Sequence, residues 1–198
     1  GMTEKQIAHE IDEYYRERTD GTSFDTIVAS GENTSKPHAV PTEKKIEEED
    51  IITIDMGCKV DGYCSDMTRT FFVGKVPEYI KPVYDLVLKN QEQALQEYKD
   101  GASTRQVTKM VENDFKLNGY DLIHSLGHGV GLEIHEPPYI SSRSDTLLKE
   151  NMIVTDEPGI YIPGKFGVRI EDTVQITKFG CIKLTNSEKN YIVINELQ

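Results

Sequence analysis

Residues 51–73 read IITIDMGCKVDGYCSDMTRTFFV, two apolar runs that meet at Val60-Asp61-Gly62. Asp-Gly between apolar runs is a strong signal for a β-hairpin. Asp55 falls on the first predicted strand and Asp66 on the second, with ten residues between them. Side chains alternate along a strand, so an even separation across an even-residue turn puts both carboxylates on one face. Two carboxylates converging inside an Ile- and Phe-rich run repel each other and are costly to bury. A cation between them removes that cost. Two solvated strand aspartates are the plain alternative, and the pair alone would favour it.

Upstream, Thr3 to about Arg18 carries Ile7, Ile11, Tyr14 and Tyr15 at helical spacing, with Thr3 and Gln6 as a capping box. Phe24 to Ser30 reads as a short strand that runs into the polar loop 31–36 and then Pro37-His38. Glu47-Glu48-Glu49-Asp50 reads as a solvated step before the hairpin. Downstream, a helix is expected from Pro77 to about Tyr98, with Pro82 as an alternative first turn. A third runs from Ser103 to Asn118, capped by Ser103 and Gln106 and stopped by Gly119.

The motif Gly1-x-Thr3-x-x-Gln6-Ile7 recurs one hundred positions later as Gly101-x-Ser103-x-x-Gln106-Val107. Each copy leads into a helix, then a histidine-bearing stretch, then a strand pair with two acids, which suggests two related halves. In the second half, HSLGHGVGLEIHE holds three of the chain's five histidines, His124, His128 and His135. Its glycines make a regular helix improbable and suit a strand or loop that lets backbone crowd a ligand. From Met152, MIVTDEPGIYIPGKFGVRIEDTVQIT again reads strand, turn, strand, with Glu157 and Glu171 as counterparts of Asp55 and Asp66. Thirteen residues separate those two glutamates. A two-residue turn at Pro163-Gly164 would therefore place them on opposite faces, and a longer odd loop or a bulge is needed to bring both inward. Arg169 shares the parity of Glu171, and Val168, Ile170 and Val174 cover the other face.

The chain of 198 residues fits one domain, with 37% hydrophobic and 28% charged residues. A net charge of −12 argues against nucleic acid and anionic membrane as partners and is compatible with metal ions and with substrates bearing a free amine. Three cysteines without a Cys-x-x-Cys pair suggest a reducing compartment, and hence the cytoplasm. No apolar run approaches the length of a membrane span.

Asp55, Asp66, His128, Glu157 and Glu171 together form an oxygen-rich set with one imidazole, which suits divalent Mn, Fe, Co or Zn. Four carboxylates carry too much charge for one ion and fit a pair, as in two-metal hydrolases. The motifs IVASGENTSKPH, DMGCKVDGYCSDMTRT, HSLGHGVGLEIHE, EPGIYIP and GVRIED span residues 27–172. Their joint occurrence resembles the catalytic domain of the pita-bread metallopeptidases, in the branch of Xaa-Pro aminopeptidases and Xaa-Pro dipeptidases (prolidases).

That resemblance implies an α+β pita-bread fold of two pseudo-symmetric halves, helices packed on a curved antiparallel sheet. It implies two divalent ions, Mn(II) first and Co(II), Fe(II) or Zn(II) as alternatives, on Asp55, Asp66, His128, Glu157 and Glu171. His38, His135 and Glu157 match catalytic positions, and His124, Tyr161 and Arg169 match substrate-binding ones. The implied substrate is a peptide with proline at its second position, cleaved before the proline. Members also carry an N-terminal domain and one further catalytic-domain helix, so residues 1–198 are expected to be an excised catalytic portion of a homodimeric parent. Methionine aminopeptidase shares the five ligands, but YCSDMTRT and EPGIYIP…GVRIED favour the proline branch. A non-catalytic pita-bread binding module and a metal-free creatinase-like hydrolase are set against by the intact ligand set.

Overall fold

In the computed structural model, which describes residues 1–195, the stretch 51–73 folds back on itself about a two-residue turn. Asp61 and Gly62 occupy that turn with φ of 52° and 80°, the left-handed values that such a turn requires. The anticipated single hairpin is two stacked pairs in one register. β2 (Ile51–Met56) pairs with β5 (Met67–Val73), and β3 (Lys59–Val60) pairs with β4 (Tyr63–Cys64). Between them the ladder is interrupted, because the Cys58 N–H turns to Ser65 Oγ at 2.9 Å while Ser23 Oγ donates to the carbonyls of Cys58 and Ser65. Thr68 pairs with Asp55, so Asp66, two positions before Thr68, shares the face of Asp55.

The first half comprises α1 (Glu4–Arg18), β1 (Ile27–Ser30), β2 and β5, with β13 (Ile192–Ile194) added parallel to β5. The second comprises α3 (Thr104–Leu117), β6 (Gly127–Gly129), β7 (Glu136–Ile140), β8 (Ile153–Asp156), β11 (Asp172–Ile176) and β12 (Cys181–Lys183). Its sheet runs β12-β11-β8-β6-β7, antiparallel throughout. The order helix, strand, strand, strand therefore repeats, and Thr3 bridges Lys45 as Ser103 bridges Leu147. Thr3 and Gln6 form both halves of the capping box, whereas among the described residues only the Ser103 half forms on α3.

Between the halves lies α2 (Lys81–Glu97), which starts four residues later than Pro77 suggests. Pro82 sits in its first turn, where a missing N–H leaves no bond unmade. Val83, Tyr84, Val87 and Ala94 of α2 and Val107, Val111 and Phe115 of α3 pack with Val154, Val168, Ile170 and Val174 in the main core. A smaller cluster of Ala8, Val28, Ile46 and Ile52 seats α1 on its own sheet. β1 begins at Ile27, not Phe24; residues 24–26 leave the ladder and line a cavity instead.

The second hairpin joins β9 (Gly159–Ile162) to β10 (Phe166–Arg169) through a three-residue loop, 163–165, closed by Lys165 N–H to Ile162 O at 2.9 Å. An odd loop is what the parity of Glu157 and Glu171 requires. Gly159 pairs with Arg169 and Asp156 with Asp172, which leaves the two glutamates opposite each other between those ladders. No helix among the described residues is long and apolar enough to cross a membrane.

Candidate active site

Each carboxylate expected to bind metal stands at or just beyond the end of a strand, where side chains can converge. Asp55 is the last residue but one of β2, Asp66 precedes β5, and Glu157 and Glu171 occupy the two steps around β9 and β10. His128 sits at the centre of β6, which approaches β8 very closely: a Cβ on Gly127 would lie 2.1 Å from the Thr155 carbonyl oxygen. Glycine is needed there. The His128 N–H then donates to Thr155 Oγ1 at 3.1 Å. All ten residues singled out from the sequence line one cavity of about 510 Å³.

Within it, His128 Nε2 lies 3.4 Å from Asp66 Oδ2 and 3.2 Å from Glu157 Oε1, while its Nδ1 faces the Gly129 carbonyl at 2.9 Å. Thr68 Oγ1 donates to Glu171 Oε2 at 2.6 Å. The Arg169 guanidinium reaches Asp55 Oδ2 (2.8 Å), Tyr161 OH (2.9 Å), Thr68 Oγ1 (3.1 Å) and the Pro37 carbonyl (3.2 Å). Since Arg169 donates to Tyr161, the Tyr161 hydroxyl donates onward to His124 Nε2 at 2.9 Å, and His124 Nδ1–H faces the Ser125 carbonyl at 2.8 Å. That pattern of bonds is the one a neutral His124 makes. The His135 ring stands edge-on to His128 with centroids 4.4 Å apart, and His38 lies exposed on the wall beyond Pro37.

Charge is crowded here. Burial, with Asp55 and Glu157 added to it, pushes the Asp66 carboxyl up to about 7 despite its contact with His128. Burial and the neighbouring Asp66, Glu157 and Asp55 push Glu171 well above the usual carboxylate range, and burial raises Asp55 against the pull of Arg169. Burial would also raise Glu157, but His128, His124 and Arg169 together hold it below its ordinary value. For His128 burial acts downward, and the bonds to Asp66 and Glu157 outweigh it and carry the imidazole up to about 10. Burial and the adjacent His128 lower His135, and burial lowers His124.

These residues fit a divalent cation. Asp66, His128 and Glu171 each offer a ligand atom within 4.8 Å of the others, and Asp55 Oδ1 is buried without a hydrogen-bond partner. Carboxylates whose ionised form is disfavoured, beside an imidazole holding a proton, are groups from which a cation displaces protons. Asp55 and Glu157 stand on the same cavity with their carboxylates engaged by Arg169 and His128. Two contributors were not singled out from the sequence, Thr68 and Thr155. Thr68 shares the parity of Asp66 and was legible by register. Thr155 depends on the approach of β6, which no local pattern announces.

A sequence model of metallopeptidase family M24 matches residues 1–178. A Xaa-Pro dipeptidase of Pyrococcus furiosus is 43% identical over 197 residues, covering 97% of this chain and 56% of that relative. The structure of an X-Pro aminopeptidase from Thermotoga maritima MSB8 superposes with a TM-score of 0.94 at 42% identity, covering 98% of this chain and 56% of the other. The structure of a prolidase from Pyrococcus furiosus gives 0.92 at 43% identity, over 96% and 57% of the two chains. The chain thus spans a little over half the length of the relatives it matches.

Proposed function

Since the chain belongs to metallopeptidase family M24 and has its pita-bread fold, we propose that it hydrolyses the bond between an N-terminal residue and a following proline, with divalent cations as cofactors. The observation that carries this reading is the convergence of ten residues, scattered from His38 to Glu171, on one cavity of about 510 Å³. Asp55, Asp66, His128, Glu157 and Glu171 would hold two ions, Mn(II) in preference to Co(II), Fe(II) or Zn(II). Bound there, such ions supply a water of lowered pKa and a Lewis acid for the scissile carbonyl.

The protein's own residues do the rest. Glu157, whose ionised form Arg169 favours and a bound cation would favour further, would accept a proton from the attacking water and pass it to the departing nitrogen. That delivery matters because the imide nitrogen of proline carries no hydrogen. Burial favours the neutral form of His135, whose one ring N–H would be available to the developing oxyanion, with His38 as a second donor. His124, Tyr161 and Arg169 form a rigid bonded series that orients the substrate beside the carboxylates. We further propose that the enzyme acts in the cytoplasm as a homodimer.

Turnover of Met-Pro and Met-Ala by this chain loaded with Mn(II) tests the proposal. Faster cleavage of Met-Pro, lost on chelation and restored by Mn(II), is expected. Preference for Met-Ala would move the chain to the methionine aminopeptidase branch.

A further inference from the structure

Glu4 is a charged side chain in the first turn of α1, fully buried and outside the cavity described above. Its Oε1 accepts from the Ser30 N–H (2.6 Å), Ser30 Oγ (2.8 Å) and Asn33 Nδ2 (3.1 Å). Its Oε2 accepts from the Thr42 N–H (2.9 Å) and Thr42 Oγ1 (2.6 Å). Around it, the free N–H groups of the helix start add Glu4 to Lys44 O and Lys5 to Thr42 O, each 3.1 Å. Only an ionised carboxylate accepts this many donors at once. Burial alone would raise its pKa, and the bonds from Thr42, Asn33 and Ser30 reverse that.

The residues gripped by Glu4 are the two ends of one segment. Ser30 closes β1, Thr42 follows Pro41, and between them the chain turns at Pro37-His38 on the cavity wall. In its middle that segment meets the site through Arg169 to Pro37 O (3.2 Å) and Gly167 N–H to Thr34 Oγ1 (2.8 Å). Thr104, one hundred positions after Glu4, occupies the equivalent place in the second half. A neutral hydroxyl suffices there, donating to Ser144 O and accepting the Thr146 N–H at 3.0 Å. Stapling a helix start to a passing segment therefore needs no charge. What the carboxylate adds in the first half is its reach to Ser30 and Asn33, at the near end of the segment that bears His38.

We propose that Glu4 is a positioning residue, whose carboxylate clamps both ends of residues 30–42 and so holds His38 against the cavity. The inference rests on the reading of His38 as an oxyanion donor.

The test uses the Mn(II)-loaded chain and the variants Glu4→Gln, Thr42→Val, His38→Ala and Glu4→Gln/His38→Ala. Amide hydrogen exchange should quicken about tenfold or more over residues 36–42 in Glu4→Gln, while β8 and β11 keep their protection. For Met-Pro hydrolysis, kcat should fall about tenfold with KM within about twofold, and the double variant should be no slower than His38→Ala alone. Thr42→Val, which removes a single bond to Glu4, should show the same pattern more weakly and covers the case in which Glu4→Gln does not fold. Unchanged exchange over 36–42, uniform acceleration across the chain in both variants, or a full additional loss in the double variant would overturn the inference. Absence of Met-Pro turnover in the unaltered chain would defeat the functional reading, and the exchange pattern would still decide the clamp.

Discussion

Arg169 and Asp55, 114 positions apart in sequence, meet in an ion pair of 2.8 Å that is almost sealed from water. Removing one member of a buried pair strands the other charge, at a typical cost of about 3–5 kcal/mol. Arg169→Met should therefore destabilise chelator-treated protein by about that amount in urea denaturation. With Mn(II) added the loss should shrink, because a cation beside Asp55 takes over the compensation. An equal loss in both conditions would place Asp55 outside the reach of the metal.

Metal should stabilise the fold more at pH 8 than at pH 6. Asp66 has a folded pKa of about 7, above its unfolded value, so its contribution is present below about pH 4 and is lost as pH rises through about 7. His128, raised to about 10, likewise contributes most below its unfolded value and loses that contribution as pH rises. Both leave the metal-free fold weaker at alkaline pH, whereas a cation binds the deprotonated forms and only the folded chain. At a hundredfold excess over Kd one site adds about 2.7 kcal/mol. Melting curves with chelator and with Mn(II) at both pH values check this; an equal shift at pH 6 and pH 8 would refute the proton linkage.

His135→Ala should lower kcat for Met-Pro by roughly 10²–10³-fold, the usual effect of removing one oxyanion donor. Bound metal should hardly change, since His135 packs its ring against that of His128 and is not one of the five residues proposed to hold the ions. Metal content measured beside turnover separates the roles, because loss of metal would make His135 a ligand.

Behind Glu171, Arg69 pairs with Asp172 at 2.7 Å, both fully buried, and Lys189 joins at 3.0 Å. Burial would raise the Asp172 carboxyl, yet Arg69, Thr185 and Lys189 hold it below the usual carboxylate range. A depressed folded pKa contributes stability above the unfolded value, near pH 4, that is lost as pH falls through the folded one. Asp172→Asn should cost about 3–5 kcal/mol at pH 7 and clearly less at pH 3, by urea unfolding. A pH-independent difference would mean that packing, not charge, sets the loss.

The central hairpin was legible because Asp61-Gly62 fixes a two-residue turn and side-chain alternation then carries Asp55 and Asp66 to one face. Its interruption at Cys58 was not, since Ser23 arrives there from another part of the chain. The loop at 163–165 could be stated only as a requirement, because Pro163-Gly164 accommodates turns of either length while the facing glutamates demand the odd one. Glu4 looks in sequence like an ordinary first-turn acid favoured by the helix dipole. Its five donors come from residues 30–42, which only the fold brings to it.

Anomalous X-ray diffraction from crystals soaked in Mn(II), recorded at the manganese edge, tests the proposed centre most directly. Two peaks roughly 3.5–4 Å apart are expected, both inside the cavity and together contacting Asp55, Asp66, His128, Glu157 and Glu171. No peak in that cavity, or manganese bound only at residues elsewhere, would contradict the assignment of these five as the metal site and the hydrolytic reading built on it.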